Sequence, residues 1–442
     1  MEKLDIPKTL KELSDIFKMQ QSPLYIVGGY VRNALLGFCE TDIDICGPMH
    51  YQKVKDLLKN SVFSVKVINE KLGTIHIKSK ISEEEFEYST FRKEDYNLGG
   101  EHTPNKIEFV SDIKQDAIRR DFTCNSIYYD IQNEKIIDFF DGVKDVLEHR
   151  IKTVDAPTST FDNDGLRILR MVRFSCELDF EIDDDTFCVA KEKISQLKDI
   201  SQERFNKEVV SILFSDYKYD SIKNPHCPTK GIKLLSELGA FQYIFREVAL
   251  YKGLSYVDKC LKEQWVTKLG QAPSLFRLSC FVYEILMALK LDITKNNIEM
   301  ILGSGGLMVS KDEIKSQVSI LTAIQVMPKL KNEEVPLFVQ QNFQNINKIL
   351  DFARIFGLGD NVRSVYKIMQ EDNVPLTIKD LKINGYDLIK NFPQIERNDY
   401  SSIFEELLKN CAYFPEMNTK PKLLSYIRSK FLWLKQFYWL PL

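Results

Sequence analysis

The sequence predicts an α+β fold in which an N-terminal head with a mixed sheet precedes a long all-helical region. Short runs rich in β-branched and aromatic residues are concentrated in the first third of the chain and are typical of strands. From about Phe161 onward, apolar residues recur with a period of about 3.6, which indicates amphipathic helices. At 442 residues the chain is too long for one ordinary core, so we expect several domains.

The elements of the head follow one another as strands and a few helices. Strands are predicted at "LYIVGG", "TDIDIC", "VFSVKVI", "TIHIKS", "EFEYSTF" and "NSIYYDI". Between the first two, "YVRNALLGF" predicts a short helix that ends at Gly37. We expect the head to cover 1–152, followed by a helical neck (153–215), body (216–325) and tail (326–442).

Composition and charge narrow the class of protein. The net charge of −3 and the pI of about 6.1 exclude a global basic field for nucleic acid, so any RNA contact must use local patches. Nine cysteines without a CxxC pair indicate reduced thiols and neither a disulfide nor a zinc framework. No run of 18 apolar residues is present, and the aromatic end "FLWLKQFYWLPL" is expected to dock in a core or a dimer contact. We therefore expect a cytoplasmic protein without a membrane partner.

The stretch "TDIDIC" contains two aspartates that alternate with apolar residues. On a strand, Asp42 and Asp44 project from the same face. Two carboxylates about 4 Å apart repel by about 4 kcal/mol at an effective dielectric constant of about 20, so such a pair is either solvated or holds a cation. Mg²⁺ suits a few carboxylates because it keeps waters and substrate phosphates as ligands. The pair alone leaves both interpretations open.

The residues before this pair favour phosphate binding. Gly28 and Gly29 end a predicted strand and precede a helix, where backbone N–H groups can approach a triphosphate. Arg32 follows in the first helical turn, where its guanidinium and the helix N-terminus can meet phosphate oxygens. Together with the two aspartates, this arrangement is suited to holding a nucleoside triphosphate at a two-metal site.

The stretch "VGGYVRNALLGFCETDIDI" resembles the signature of the class II tRNA nucleotidyltransferases and bacterial poly(A) polymerases, within the DNA polymerase beta-like nucleotidyltransferase superfamily. Further blocks similar to the family follow in order: "DAIRRDFTCNSIYYD" (116–130), "DFFDGVKDVLEHRI" (138–151), "FDNDGLRILRMVRFSCELDFEI" (161–182) and "QERFNKEVVSIL" (202–213). The resemblance covers roughly residues 20–245, and beyond it "LKINGYDLI" is similar to a family tail segment. It implies a polymerase-beta-like head with a helical neck, body and tail.

The resemblance also implies roles for single residues. Asp42 and Asp44 are expected to hold two Mg²⁺ ions and to be catalytic, with Glu87 of "EFEYSTFR" as the third carboxylate; an exposed strand edge is the alternative for Glu87. In "RRDFTCN", the two arginines are expected to clamp the triphosphate, the aspartate to orient an arginine, and the asparagine to hold ribose or backbone. The implied nucleotide-binding residues are Gly28, Gly29, Arg32, Arg119, Arg120, Asp121, Asn125, Asp164, Arg167, Arg170 and Arg173.

Charged residues recur every third position from Asp164 to Arg173, and we expect them on one stripe of a single helix. In the resemblance, Asp164 and Arg167 read the base, and the later arginines approach phosphates. Cytosine and adenine each offer an amino group beside a ring-nitrogen acceptor, which suits a carboxylate and a guanidinium. Guanine and uracil leave two mismatched polar groups at about 1–3 kcal/mol each. One such pair can therefore select C and A without a template.

The sequence departs from the family pattern at several positions. Asn33 stands where Asp is usual after Arg32, and Asn163 where Glu is usual before Asp164. Gly165 replaces a common Pro, and Glu101 lies in a loop that tends to be basic. An amide still accepts a hydrogen bond from an arginine, but it lacks the charge that would hold the arginine rigidly.

The resemblance thus implies an enzyme that adds C and A residues to the 3′ end of tRNA from CTP and ATP, with Mg²⁺ as cofactor and pyrophosphate as product. Helices after residue 200 are expected to grip the acceptor end of tRNA through phosphates and shape. The motifs leave open enzymes that add only CC or only A. A poly(A) polymerase and a non-catalytic RNA-binding relative are the remaining alternatives.

Overall fold

The computed structural model of the 442-residue chain describes residues 4–38, 42–96, 104–222, 224–252 and 268–436. The chain divides into two compact units. The first consists mainly of residues up to Leu278, and the second mainly of residues from Ser310 onward. The positions of Glu101 and His102, and the end of the C-terminal aromatic segment, lie outside the described residues.

The first unit contains a seven-stranded mixed sheet and two two-stranded ladders. The strands are β1 Tyr25–Val27, β2 Asp44–Gly47, β3 Phe63–Asn69, β4 Thr74–Ser79, β5 Glu85–Thr90, β6 Arg92–Asp95, β7 Lys106–Phe109, β8 Tyr128–Asp130, β9 Lys135–Ile137, β10 Arg150–Ile151 and β11 Glu181–Ile182. The seven-stranded sheet has the order β3-β4-β5-β2-β1-β8-β9. In it β2 and β5 are parallel, and every other neighbouring pair is antiparallel. The two ladders are β6–β7 and β10–β11.

Helices make up most of the remaining described chain. Up to residue 252 they are α1 Lys8–Met19, α2 Gly29–Leu35, α3 Tyr51–Leu58, α4 Ile113–Ile118, α5 Gly142–Leu147, α6 Pro157–Asn163, α7 Leu166–Leu178, α8 Asp184–Glu192, α9 Gln202–Leu213, α10 Cys227–Leu238, α11 Phe241–Ile244 and α12 Arg246–Lys252. Further along are α13 Arg277–Ala288, α14 Lys295–Leu302, α15 Lys311–Val326, α16 Val335–Gln341, α17 Ile346–Ile355, α18 Asp360–Glu371, α19 Gly385–Asn391, α20 Tyr400–Tyr413 and α21 Lys420–Gln436. The second unit includes α15 to α21.

The turn between β1 and α2 places the glycines at the end of a buried strand. Gly28 has φ +78°, a backbone conformation that favours glycine, and its N–H donates to the carbonyl of Ile127. This bond ties the start of α2 to the segment just before β8. Gly37, with φ +72°, follows the end of α2, in agreement with the predicted boundary.

Each unit has its own apolar core. In the first, Tyr25, Cys46 and Tyr128 from neighbouring strands pack in one buried cluster. In the second, a cluster from α19 to α21 includes the fully buried Leu388 and Leu407. Burial of each such apolar side chain stabilises the folded state by about 1.5–3 kcal/mol. Each unit therefore has a core that contributes to its own stability.

The predicted fold class, a mixed-sheet head followed by a largely helical remainder, is confirmed. The prediction missed the short pairs β6–β7 and β10–β11 as well as β9, since a ladder of two to four residues has little local signal. β11 also lies inside the region predicted to be helical. Within the described ranges, no helix has the length and apolar character needed to cross a membrane.

Candidate active site

A cleft of about 300 Å³ opens beside the turn between β1 and α2. Gly28, Gly29, Asp42 and Asp44 line it together with residues of α7, and we call it the glycine cleft. A Cβ on either glycine would lie 3.7 Å from its nearest neighbour, an ordinary van der Waals contact, so it is the φ of +78° that favours glycine at Gly28. The cleft therefore brings the glycine turn and both aspartates together.

The two aspartates lie at the mouth of the cleft and are both exposed. Asp44 is the first residue of β2, whereas Asp42 precedes the strand, which corrects the prediction that both lie on it. Glu87 of β5 is paired in register with Asp44 across the parallel strands and is also exposed, but it does not line the cleft. Positions paired in register project to the same face of a sheet, so Asp44 and Glu87 share one face.

The carboxylate oxygens of these acids are ligands that suit Mg²⁺. Two exposed carboxylates at a cleft with several cationic groups match an ion that uses one or two protein carboxylates and completes its shell with water and phosphate. Among the described residues, no group of three or more acids, histidines or cysteines forms a closed cage for a metal. The two aspartates are therefore candidates for an open, substrate-completed site.

Arg32 is buried at the back of the glycine cleft, with 3% of its surface exposed. Its guanidinium donates to Oδ1 of Asn33 at 3.0 Å, to Oδ1 of Asn125, and to the hydroxyl oxygen of Tyr219 at 3.1 Å. The Phe174 ring lies below it, with its centroid 5.5 Å away. These partners fix the direction of Arg32 without neutralising its charge.

Arg120, by contrast, reaches the same cleft as a member of an ion pair. It donates to Oδ2 of Asp116 at 3.2 Å and to the hydroxyl oxygen of Tyr128 at 2.9 Å. Burial alone would raise the pKa of Asp116, but the positive charges of Arg119 and Arg120 keep that pKa well below its usual range. The carboxylate is therefore ionised and anchors both arginines of "RRDFTCN".

Two arginines of α7 reach the glycine cleft and are also paired with acids. Arg170 donates from Nε and Nη2 to Oδ2 of Asp121 at 2.8 and 2.6 Å. Arg173 donates to Oε2 of Glu208 at 2.7 Å, and its Nη1 lies 3.4 Å from Glu177. Both side chains remain partly exposed, which leaves N–H groups directed towards solvent in the cleft.

Asp121 connects the arginines of the site. Its Oδ1 accepts from the Phe122 backbone and from Nδ2 of Asn125, while its Oδ2 accepts from Arg170. Burial raises the pKa of this carboxyl, but the charges of Arg170 and Arg167 and these hydrogen bonds lower it to about 2. Asp121 therefore orients an arginine, and that arginine is Arg170.

A second cleft, of about 340 Å³, lies next to the first. We call it the Asp164 cleft, after a lining that includes Asp164, Arg167, Arg119, Tyr96 and Arg204. Arg120, Asp121 and Arg170 line both clefts and form their common wall. Arg119 thus lines the Asp164 cleft and does not line the glycine cleft.

The expected single stripe from Asp164 to Arg173 is wrong at its first position. Asp164 precedes α7 with φ −150°, and its Oδ1 accepts a hydrogen bond from the backbone of Leu166 at 3.0 Å. An aspartate before a helix satisfies N–H groups that otherwise have no partner, which explains this placement. The three arginines of the stripe do lie on α7.

Asp164 and Arg167, which were predicted to read the base together, are each held by other residues. Oδ2 of Asp164 accepts from Arg204 of α9 at 3.1 Å. Arg167, 9% exposed, donates to the backbone carbonyls of Arg119 at 2.7 Å and Thr160 at 3.5 Å. Backbone carbonyls thus orient Arg167 in a chain that has Asn163 where a carboxylate was expected.

Several residues of the two clefts were missed by sequence reasoning. Tyr219 and Lys218 line the glycine cleft, and Glu94 and Tyr96 line the Asp164 cleft. Glu94 accepts from Tyr96 and from Arg92 at 2.6 Å. Arg204 lies in the stretch 202–213 that resembles the family, so the resemblance could have indicated it. No motif in the sequence indicated the other four residues.

Comparisons with known proteins agree with this fold. Residues 24–152 match the family described as the poly A polymerase head domain. Residues 179–251 match the family described as the probable RNA and SrmB-binding site of polymerase A. The matched segments contain the sheet, both aspartates and Tyr219.

Two curated relatives are CCA-adding enzymes. That of Lactococcus lactis subsp. cremoris is 34% identical over 238 residues, which cover 52% of this chain and 54% of the relative, so the chain spans about half of its length. That of Staphylococcus epidermidis is 25% identical over 415 residues, which cover 91% of this chain and 93% of the relative.

A solved structure of similar fold is the Bacillus stearothermophilus CCA-adding enzyme in complex with CTP. It superposes with a TM-score of 0.70 at 20% identity and covers 97% of this chain and 98% of that one. The likeness to that structure concerns the fold. Residues 24–152 and 179–251 are similar to the head and RNA-binding segments of the poly A polymerase family, and the resemblance found in the sequence is confirmed for these segments.

Proposed function

We propose that the protein is a tRNA nucleotidyltransferase that adds C and A residues to the 3′ end of tRNA from CTP and ATP. The observation that supports this best is the pair of adjoining clefts with a common wall. One holds the glycine turn and the two aspartates, and the other holds Asp164 and Arg167. The names and ligand of the similar enzymes point the same way.

In the proposed reaction, the 3′-hydroxyl oxygen of tRNA attacks the α-phosphorus of the nucleotide and pyrophosphate leaves. Arg32 and the backbone of the glycine turn hold the triphosphate, with Arg120, Arg170 and Arg173 as further donors. Their preset directions limit the reorganisation needed when charge develops on the phosphate oxygens. Positioning and electrostatic stabilisation supply most of the catalysis of such transfers.

Asp42 and Asp44 would hold the divalent cations, which we propose to be Mg²⁺, and Glu87 lies in register beside Asp44. Bound there, the metal would lower the pKa of the attacking hydroxyl and neutralise the charge of the triphosphate. In the Asp164 cleft, the carboxylate would accept from the base amino group and Arg167 would donate to the ring nitrogen. Because tRNA is the proposed substrate, we place the protein in the cytoplasm.

The decisive experiment uses tRNA that lacks its CCA end, with Mg²⁺ and each labelled nucleotide singly and in pairs. Ordered addition of two C residues and one A residue supports the proposal. Long A tails would instead identify a poly(A) polymerase, and addition of only CC or only A would identify a partial enzyme. Binding of tRNA without any incorporation would leave a non-catalytic RNA-binding protein.

A further inference from the structure

Arg32 differs from the other arginines of the glycine cleft in the charge of its partners. Within the described residues, every hydrogen-bond acceptor of its guanidinium is an uncharged oxygen, from Asn33, Asn125 and Tyr219. Arg120 and Arg170 each donate to a carboxylate. Glu177 of the same cleft acts on Arg32 through its charge but does not accept a hydrogen bond from it. A buried guanidinium needs bonded partners to fix its direction, so the direction of Arg32 depends on its neutral partners until the triphosphate binds.

Tyr219 is the partner of Arg32 that is most distant in the chain, 187 residues away. Its hydroxyl oxygen accepts from Nη2 of Arg32 at 3.1 Å and from Nδ2 of Asn33 at 3.2 Å. Because the hydroxyl oxygen accepts these two hydrogen bonds, its O–H remains available to donate one. Tyr219 also lines the glycine cleft. A phosphate oxygen next to Arg32 is a suitable acceptor for that proton.

The ring of Tyr219 is held firmly enough for this role. The side chain is 6% exposed and stacks on Phe38, with ring centroids 5.2 Å apart and an angle of 30° between the planes. Nζ of Lys218 lies 5.7 Å from the centroid of the Tyr219 ring. Packing fixes the ring, so the hydroxyl position does not have to be ordered when a ligand binds.

We propose that Tyr219 is the positioning residue of triphosphate binding in this protein. Its hydroxyl oxygen holds the Arg32 guanidinium towards the glycine cleft, and its O–H donates a hydrogen bond to the bound triphosphate. This inference rests on the proposed function, because it assigns the glycine cleft to a nucleoside triphosphate. It also gives a reason why Asn33 is tolerated beside Arg32, where the family resemblance led us to expect Asp.

The test compares Tyr219→Phe with Tyr217→Phe. The first change removes the hydroxyl and keeps the packed ring, whereas Tyr217 is 55% exposed and lies outside both clefts. CTP and inorganic triphosphate are titrated into each protein without RNA, and CTP incorporation into tRNA is measured separately. We expect Tyr219→Phe to weaken the binding of both ligands about tenfold, and Tyr217→Phe to leave it within about twofold. In turnover, KM for CTP rises about tenfold, with little change in kcat or in KM for tRNA.

The outcomes separate this inference from the proposed function. Unchanged binding of CTP and triphosphate by folded Tyr219→Phe would overturn the role of Tyr219 while leaving the function intact. Weakened binding by the variant, without tRNA extension by the unmodified protein, would support the role and overturn the function. If the unmodified protein binds neither ligand, both proposals are wrong.

A second pair of variants tests the positioning of Arg32 itself. Asn33→Asp places a carboxylate at the amide that now accepts from Nε of Arg32 at 3.0 Å. In that background Arg32 is held by charge, so Tyr219→Phe is expected to weaken CTP binding less than about threefold. An equal, tenfold loss in both backgrounds would show that Tyr219 does not act through Arg32 and would overturn the positioning role.

Discussion

The glycine cleft and the Asp164 cleft share a wall of three residues but hold their remaining charges differently. In the glycine cleft, Asp42 and Asp44 are exposed, and Arg32 is bonded to neutral oxygens. In the Asp164 cleft, Asp164 is paired with Arg204, and Arg167 is fixed by backbone carbonyls. The first arrangement presents exposed carboxylates beside a guanidinium that is bonded to neutral oxygens, and the second fixes donors and acceptors in direction. We infer that the first is suited to chemistry and the second to discrimination.

If this division is right, removing a carboxylate of the glycine cleft has the largest effect. Asp42→Ala is expected to lower nucleotide incorporation about a thousandfold or more, because the proposed cation loses a ligand and the triphosphate charge is no longer neutralised. Labelled-nucleotide addition measures the rate, and a filter-binding assay measures tRNA affinity, which we expect to be retained. Glu70→Ala, at an exposed acid in the same domain, is the control. Normal turnover of Asp42→Ala would contradict the two-metal assignment.

The next largest effect is expected for Asp121 in the common wall of the two clefts, where a substitution changes the stability of the fold. The pKa of Asp121 in the folded protein, about 2, lies below its usual value of about 3.9. The carboxylate therefore stabilises the fold above about pH 4, and this contribution is lost as the pH falls from about 4 towards 2. We expect Asp121→Asn to lower the free energy of unfolding at pH 7 by about 2 kcal/mol and to flatten its dependence on pH in that window.

Denaturant unfolding of Asp121→Asn at several pH values provides the measurement. Asp155→Asn, at an exposed position of the same unit, is the matched control and should follow the unmodified protein. An unfolding curve of Asp121→Asn that keeps the full pH dependence would show that the wall does not depend on this ion pair. Both clefts would then need another explanation for their shared geometry.

In the Asp164 cleft, the expected change concerns which base is accepted. Arg167→Ala removes the donor to the ring nitrogen. The free-energy penalty for accepting UTP or GTP therefore falls by about 1–3 kcal/mol. We expect the ratio of kcat/KM for CTP to that for UTP to fall by about tenfold or more. Competition between CTP and UTP in one reaction gives this ratio directly. An unchanged ratio would contradict the base-reading role, even if the overall rate fell.

The sequence allowed the prediction of those parts of the molecule that depend on neighbours in the chain. The strands β1 to β5 and β8 and the start of α2 followed from alternation and from the glycines. The side-chain partners did not follow, because the Tyr219–Arg32 and Arg204–Asp164 bonds join residues far apart in the chain. Nothing in a local pattern reports such pairs. The displacement of Asp164 from α7 was within reach, since an aspartate shortly before the first apolar residue of a periodic run is a helix-start signal, and Asp-Gly is a turn signal.

The smallest expected effect is that of Arg204, which orients Asp164 from α9. Its side chain is 37% exposed, so its ion pair at 3.1 Å is worth about 0.2–1 kcal/mol. Arg204→Ala should therefore reduce C-over-U selection only about two- to fivefold, because the Leu166 backbone still holds the other oxygen of Asp164. Lys207→Ala, on the same helix and exposed, is the control. A loss as large as that of Arg167→Ala would mean that Arg204 contacts the base itself, and the Asp164 cleft would then have three base-reading groups instead of two.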